Sequence, residues 1–184
     1  MTHAVFQPSA LAATDVNSYN RNAVTATDDI DNGWLVKLTT LSATAGESQV
    51  FTAVVPSTGN GLTDLWMAYS GDEVVLTASK YKGLDPDPRN FVNVGGKTFS
   101  VFKPQIGDIY VVTADGISTN VAIGANTFVN ATDTTGGYKP VWGATQTASV
   151  FSAKLLETTY VSIPDGTISG TGRVTAYKFQ VVGL

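Results

Sequence analysis

The chain has no cysteine, one histidine and no long apolar run, and each absence removes a class of chemistry. Without thiols there are no disulfides, thiolate nucleophiles or Cys-ligated zinc sites, so folding rests on packing and backbone pairing. The single histidine, His3, has no nucleophile or ligand set near it in sequence; a solvated, incidental side chain is a simpler reading than a metal ligand or a general base. No apolar run approaches the roughly 18 residues of a membrane helix. The start, Met1-Thr2-His3-Ala4-Val5-Phe6-Gln7-Pro8, lacks the basic-then-apolar order of a secretory leader. Synthesis in the cytoplasm without a targeting signal is therefore expected.

Charge is scarce too. Asp, Glu, Lys and Arg make up 14% of the 184 residues, against about a quarter in ordinary soluble domains. Thr, Ser, Asn and Gly must then cover much of the surface, and neutral polar groups are easier to desolvate against a protein partner than dense charge. The net charge is −4, and the eleven Lys and Arg residues are scattered, with Arg21, Arg89 and Arg173 as separate islands. No concentrated positive footprint for nucleic acid is present. Each arginine could instead take a carboxylate from a protein partner in a bidentate contact.

Catalytic constellations are missing. Acidic residues are close in sequence at Asp28 with Asp29, Asp72 with Glu73, and Asp85 with Asp87. Glycoside hydrolysis needs two carboxylates across a cleft, whereas adjacent strand residues face opposite ways and turn acids bond their own backbone. Oxygen ligands for calcium exist at residues 85–87, but the full spacing of a calcium loop does not, which favours a rigid turn. Phosphate-binding glycine motifs are absent. Asn130-Ala131-Thr132 matches a glycosylation acceptor, which carries little weight without a leader. The expectation is a non-enzymatic protein with no catalytic residue, no cofactor and no metal.

What the chain has is strand chemistry. Residues 34–39, 73–79 and 108–114 are short runs rich in β-branched residues, each bounded by turn residues. With 43% hydrophobic residues the chain can form one substantial core, or a core and a small appendage. Asp31-Asn32-Gly33 predicts a turn into a strand opened by Trp34, and residues 48–55 predict the next strand after a reversal at 44–47. Residues 62–69 read as an irregular strand or a helical turn; Trp66, Met67 and Tyr69 there point to an aromatic core rather than a ligand wall. Val92 and Val94 with Phe99, Val101 and Phe102 suggest a hairpin reversing at Gly95-Gly96. Residues 117–147 read as a long loop. Near the end, 149–157, 160–163 and 172–182 read as strands with a turn at 164–166, and Tyr177, Phe179 and Val181 share one face.

The predicted fold is mainly β: a single β-barrel or β-sandwich-like body with long irregular loops and an extended N-terminal arm. Residues 1–30 form the arm, with a short helix around 8–13, and 31–184 form the β-rich domain. The segment 1–30 reads equally as an ordinary first strand that closes a sheet. In Gly83-Leu84-Asp85-Pro86-Asp87-Pro88-Arg89-Asn90-Phe91, two X-Pro pairs disfavour α conformation at Asp85 and Asp87 and predict a rigid extended or turn segment. Such a loop loses little entropy on docking. Candidate protein contacts are Phe6 and Arg21 in the arm and Asp85, Asp87, Arg89 and Phe91 in this loop.

Asn32-Gly33-Trp34-Leu35-Val36, the segment 83–91, and Gly107-Asp108-Ile109-Tyr110-Val111-Val112-Thr113-Ala114-Asp115-Gly116-Ile117 together resemble the decoration, or auxiliary head, proteins of tailed bacteriophages. The resemblance covers most of residues 28–120 and rests on texture and spaced turns rather than one motif. It implies a virion protein on the outer surface of an icosahedral capsid, made in the host cytoplasm, that binds the major capsid protein and stabilises contacts between its subunits. Homotrimers are common among such proteins, and an N-terminal arm frequently engages the shell. Removing residues 1–27 is then expected to leave the β body folded and to weaken attachment. The alternative is a carbohydrate- or receptor-binding β module of a phage fibre or tail, with Trp34, Trp66, Trp142 and the tyrosines as stacking surfaces.

Overall fold

The computed structural model describes residues 3–42, 49–71, 74–76, 83–85, 87–118, 127–132, 137–164 and 171–184. The predicted reversal at 44–47, the turn beyond Pro164 and parts of the expected loop at 117–147 lie outside the described residues. Extended structure dominates. In chain order the strands are β1 (Phe6–Ala10), β2 (Asn20–Val24), β3 (Leu35–Leu41), β4 (Val50–Val54), β5 (Leu65–Ala68), β6 (Val74–Leu76), β7 (Gly83–Asp85), β8 (Thr98–Phe102), β9 (Ile109–Thr113), β10 (Phe128–Asn130), β11 (Val141–Gly143), β12 (Ser152–Pro164) and β13 (Thr171–Gly183).

Two sheets hold most of these strands. An open six-stranded sheet runs β1-β9-β13-β12-β10-β11, antiparallel at every pairing. A small barrel closes in the order β2-β4-β3-β5-β8, with β2 parallel to β4 and the other neighbours antiparallel. The mainly β expectation holds. The single barrel or sandwich is replaced by a closed five-stranded barrel beside an open sheet, with β6 and β7 as a separate pair.

Side-chain alternation explains how the sheets join. Along β5, Leu65 and Met67 point into a core that also holds Phe6, Tyr110, Trp142 and Phe179 of the open sheet. Trp66 and Ala68 point the other way, into the barrel interior with Ala23, Val36, Ala53, Phe99 and Val101. All four residues of β5 are buried, so its sequence is an unbroken apolar run without a period of two. Tyr177, Phe179 and Val181 share the inter-sheet core as expected; Ala176, on the opposite face of β13, is buried in a smaller cluster with Val5, Val161 and Ile163.

Of the two readings of residues 1–30, the sheet-closing strand is the one seen: β1 pairs with β9 and β2 closes the barrel between β4 and β8, while the helix expected near 8–13 is replaced by the end of β1 and a 3-10 turn at Ala12–Thr14. Pro8 is tolerated in β1 because that strand lies at a sheet edge, where the lost N–H breaks no ladder. Phe6 is 1% exposed and packs against Tyr69, Phe102 and Tyr110 at centroid distances of 5.3, 5.9 and 5.4 Å. Two strands and a central core aromatic thus come from residues 1–27, and their removal would not leave the body intact.

Other departures have local causes. Residues 92–94 do not pair with β8: Asn93 bridges Ile30 instead, and Gly95 runs so close to Thr27 that a Cβ would lie 2.3 Å from that residue's carbonyl. Gly33, in the predicted turn, has φ +87° and leaves room for the Phe6 ring, which a Cβ would approach to 3.0 Å. The short strands β10 and β11 emerge inside the expected 117–147 loop, paired with each other and through β10 with β12. The two segments predicted at 149–157 and 160–163 are one strand, whose irregularity between Leu155 and Glu157 shifts the register.

Candidate functional site

The predicted contact residues scatter. Phe6 lies in the inter-sheet core and is withdrawn from any surface role by its burial. Asp85 ends β7, and its side chain is outside the described structure. Phe91 is half-buried at the end of the 3-10 turn Pro88–Asn90. Arg21 is exposed on β2, far in sequence from the loop residues.

Asp87 and Arg89 meet each other. The Asp87 carboxylate caps the turn by accepting the Arg89 backbone N–H at 2.9 Å. It also takes the guanidinium, from Nε at 3.0 and 3.1 Å and Nη2 at 2.7 Å. The side-chain bond from Arg89 foremost, with the backbone bond and the nearby positive charge, outweighs partial burial and holds Asp87 below the usual carboxylate range. The charges of Asp87 and Arg89 serve the turn itself, and this carboxylate is not laid out as an open calcium ligand. The Arg89 carbonyl accepts the His3 N–H at 2.8 Å, which ties the loop to the chain start.

His3 is a structural residue, contrary to the expectation of an incidental one. Its Nδ1 lies 2.7 Å from Asp31 Oδ1, and Asp31 Oδ2 accepts the Ala4 N–H at 3.0 Å. Asp31 is only 4% exposed. Beside it, Asn32 exchanges two bonds with the Ser70 backbone, and Asn93 Nδ2 donates to the Ile30 carbonyl and to Asn32 Oδ1. This polar network, with its donors and acceptors matched, fastens residues 3–4, the turn at 31–33 and residue 93 together.

The aromatic residues divide in the same structural sense. Trp66 belongs to the barrel interior, Met67 to the inter-sheet core, and Tyr69 packs on Phe6, so they form no common wall. Trp34 stacks on Tyr138 with the rings 8° from parallel, Lys139 Nζ lies 5.0 Å from the Trp34 centroid, and the Tyr138 hydroxyl donates to Asp28 at 2.7 Å. Burial, then that bond and the Asp28 charge, push the Tyr138 phenol well above its ordinary range. Asn130 is equally committed: it donates to the Thr145 carbonyl and accepts from the Thr147 N–H and the Ser152 hydroxyl, which leaves no exposed glycosylation acceptor.

Two surface features remain open. The first is a ribbon. Strands β12 and β13 each run 13 residues, about 40 Å at the usual rise. β9 reaches only Ala176–Gln180 of β13, and β10 only Ser152–Lys154 of β12. Among the described residues the distal half of the hairpin therefore has no strand neighbour at either edge. Tyr160 on this half is 59% exposed, with the Arg173 guanidinium 6.0 Å from its ring centroid. The opposite face is closed by Val161 and Ile163 packing with Val5 and Ala176.

The second feature is a polar groove of about 590 Å³ beside β2 and β4, into which Arg21 is brought by the barrel. Nothing in the sequence marks it, because its lining comes from separate strands. Among the described residues no group of His, Asp and Glu is arranged to hold a metal ion, and no helix is long and apolar enough to cross a membrane. No family model matches the chain, and no curated protein or solved structure matches it.

Proposed function

We propose that this protein is a non-enzymatic virion structural protein that binds the outer surface of an icosahedral phage capsid and stabilises contacts between major capsid subunits. The observation that carries the reading is the β12–β13 ribbon. The distal half of this ribbon, whose two edges pair with no described strand, offers backbone donors and acceptors to an extended segment of another protein, and addition of a strand is a recurrent mode of recognition. The Tyr160–Arg173 pair supplies an aromatic and cationic contact of the type enriched where proteins meet. The low charge of the chain lowers the desolvation cost around it.

A shell protein must also resist distortion, and the shared core supports this. One ribbon fixed to a rigid body transmits force between the subunits it touches, and a second contact from the same body forms at high effective concentration. Homotrimer formation, which the resemblance implies, belongs to this reading and would multiply the contacts.

The test is co-sedimentation with purified empty capsids of the phage that encodes the chain. Intact protein is expected to bind, and the double variant Tyr160→Ala with Arg173→Ala to bind at least about tenfold more weakly while keeping its far-ultraviolet spectrum. Failure of the intact, folded protein to bind any capsid form would sink the assignment.

A further inference from the structure

The pair Asn-Gly occurs twice in the chain, at Asn32-Gly33 and at Asn60-Gly61. Asparagine followed by glycine is the pair most open to spontaneous deamidation, because no Cβ on the second residue shields its backbone nitrogen from the neighbouring side-chain amide. With the same residue following, the two sites share one intrinsic chemistry. What separates them is the fold.

Asn32 is locked. It is 1% exposed. Its Nδ2 donates to the Ser70 carbonyl at 3.0 Å, and its Oδ1 accepts from the Ser70 N–H at 3.0 Å and from Asn93 Nδ2 at 3.1 Å. The nitrogen that would attack, that of Gly33, donates to the Ala68 carbonyl of β5 at 2.8 Å. Gly33 also lies against the Phe6 ring and Val112, so this turn opens only if the inter-sheet core is disturbed.

Asn60 is held by local bonds alone. It is exposed in the turn between β4 and β5. Its N–H donates to the Ser57 carbonyl at 3.1 Å and to Ser57 Oγ at 3.0 Å, the Gly61 N–H donates to the same carbonyl at 2.7 Å, and Asn60 Nδ2 donates to the Val55 carbonyl at 3.1 Å. A Cβ on Gly61 would meet nothing closer than Lys37 Cε at 4.0 Å. The turn therefore has space around it and opens without moving a core residue, the kind of local opening that costs little free energy.

We propose that Asn60 is a self-modification site, which deamidates in the folded protein while Asn32 is preserved. When the turn opens, the Gly61 nitrogen gives its proton to solvent and attacks Asn60 Cγ. The N–Cγ bond forms, the Cγ–Nδ2 bond breaks, and the side-chain amide leaves as ammonia, with a succinimide ring in its place. Water then adds at one of the two ring carbonyls and opens the ring to aspartate or isoaspartate. No oxidant or reductant is needed. Either product puts a carboxylate where Nδ2 donated to the Val55 carbonyl, so an acceptor now faces an acceptor. Isoaspartate also lengthens the backbone inside the Ser57–Gly61 bridge. The reaction is an irreversible clock that adds negative charge and loosens the β4–β5 connection.

The test is to incubate the full chain under native conditions and in unfolding urea, then to quantify the peptides around residues 32 and 60 by mass spectrometry, with isoaspartate separated by chromatography. In the folded protein Asn60 should react at least about a hundredfold faster than Asn32, since the buried site reacts only through openings that take up much of the global stability. In urea the two rates should agree within about threefold. Asn60→Gln, whose longer side chain would need a six-membered ring, should fold as the intact protein does and stay unmodified over the same period. Asn60→Asp should keep the far-ultraviolet spectrum and speed hydrogen exchange of the Gly61 amide by about fivefold, the effect of losing one hydrogen bond. Equal rates at the two sites in the folded protein would overturn the proposal. So would an intact Asn60 after the time that converts the unfolded chain, or unchanged Gly61 exchange in Asn60→Asp. Capsid attachment is measured separately, through the ribbon on the other sheet, so the two readings fail independently.

Discussion

Individual side chains in this protein do more to hold distant segments together than to offer chemistry. Asp31 is the clearest case. Its carboxylate takes the His3 ring and the Ala4 N–H and is almost wholly buried. Replacing it with Ala leaves two donors without their acceptor, and loss of one partner in a buried pair costs the desolvation of the other. Asp31→Ala should lower the unfolding free energy by about 2 kcal/mol, measured from urea midpoints, with Asp31→Asn in between. A loss under about 0.5 kcal/mol would mean that water replaces the carboxylate. The sequence placed Asp31 in a turn beside Asn32 and Gly33, correctly, but His3 lies 28 positions away and its partner was not legible.

Strand elements show where local chemistry suffices. β3, β4, β9 and β13 were visible because their β-branched residues are bounded by turns; β1, with Pro8 inside it, and β2, read Asn-Arg-Asn-Ala-Val, were not. Those two strands are specified by neighbours that supply a ladder and a core. The β12–β13 ribbon raises a different question, since among the described residues only its proximal half has flanking strands. Fewer neighbours mean lower local stability. Backbone amides of 158–163 and 172–175 should exchange with solvent at least about tenfold faster than those of 109–113 and 176–180, measured by native-state hydrogen exchange. Equal protection would show that the distal ribbon opens only with the whole molecule and has no free edge to lend a partner.

At the level of the whole molecule, the shared core makes the barrel and the open sheet one cooperative unit. Phe6 and Phe179 from one sheet and Met67 and Phe102 from the other occupy the same apolar cluster, so neither sheet can unfold without exposing the other's buried face. Calorimetry should give a single transition whose van't Hoff and calorimetric enthalpies agree. Deleting residues 1–27 should abolish that transition, because it opens both the barrel seam and the β1 edge. Two resolved transitions, or a cooperatively folded deletion variant, would contradict the shared core.

Composition and local pattern determined the strand-built character of the chain and its reliance on packing without disulfides, since these follow from side-chain shape and backbone freedom nearby. Only the tertiary structure decided that the first thirty residues are structural, that Phe6 is core and that Arg89 is engaged by Asp87. It alone brought Arg21, Gln49, Phe51 and Ser100 around one groove. The physical reason is sequence separation: a closed barrel joins strands tens of residues apart, and no spacing along the chain records which of them become neighbours.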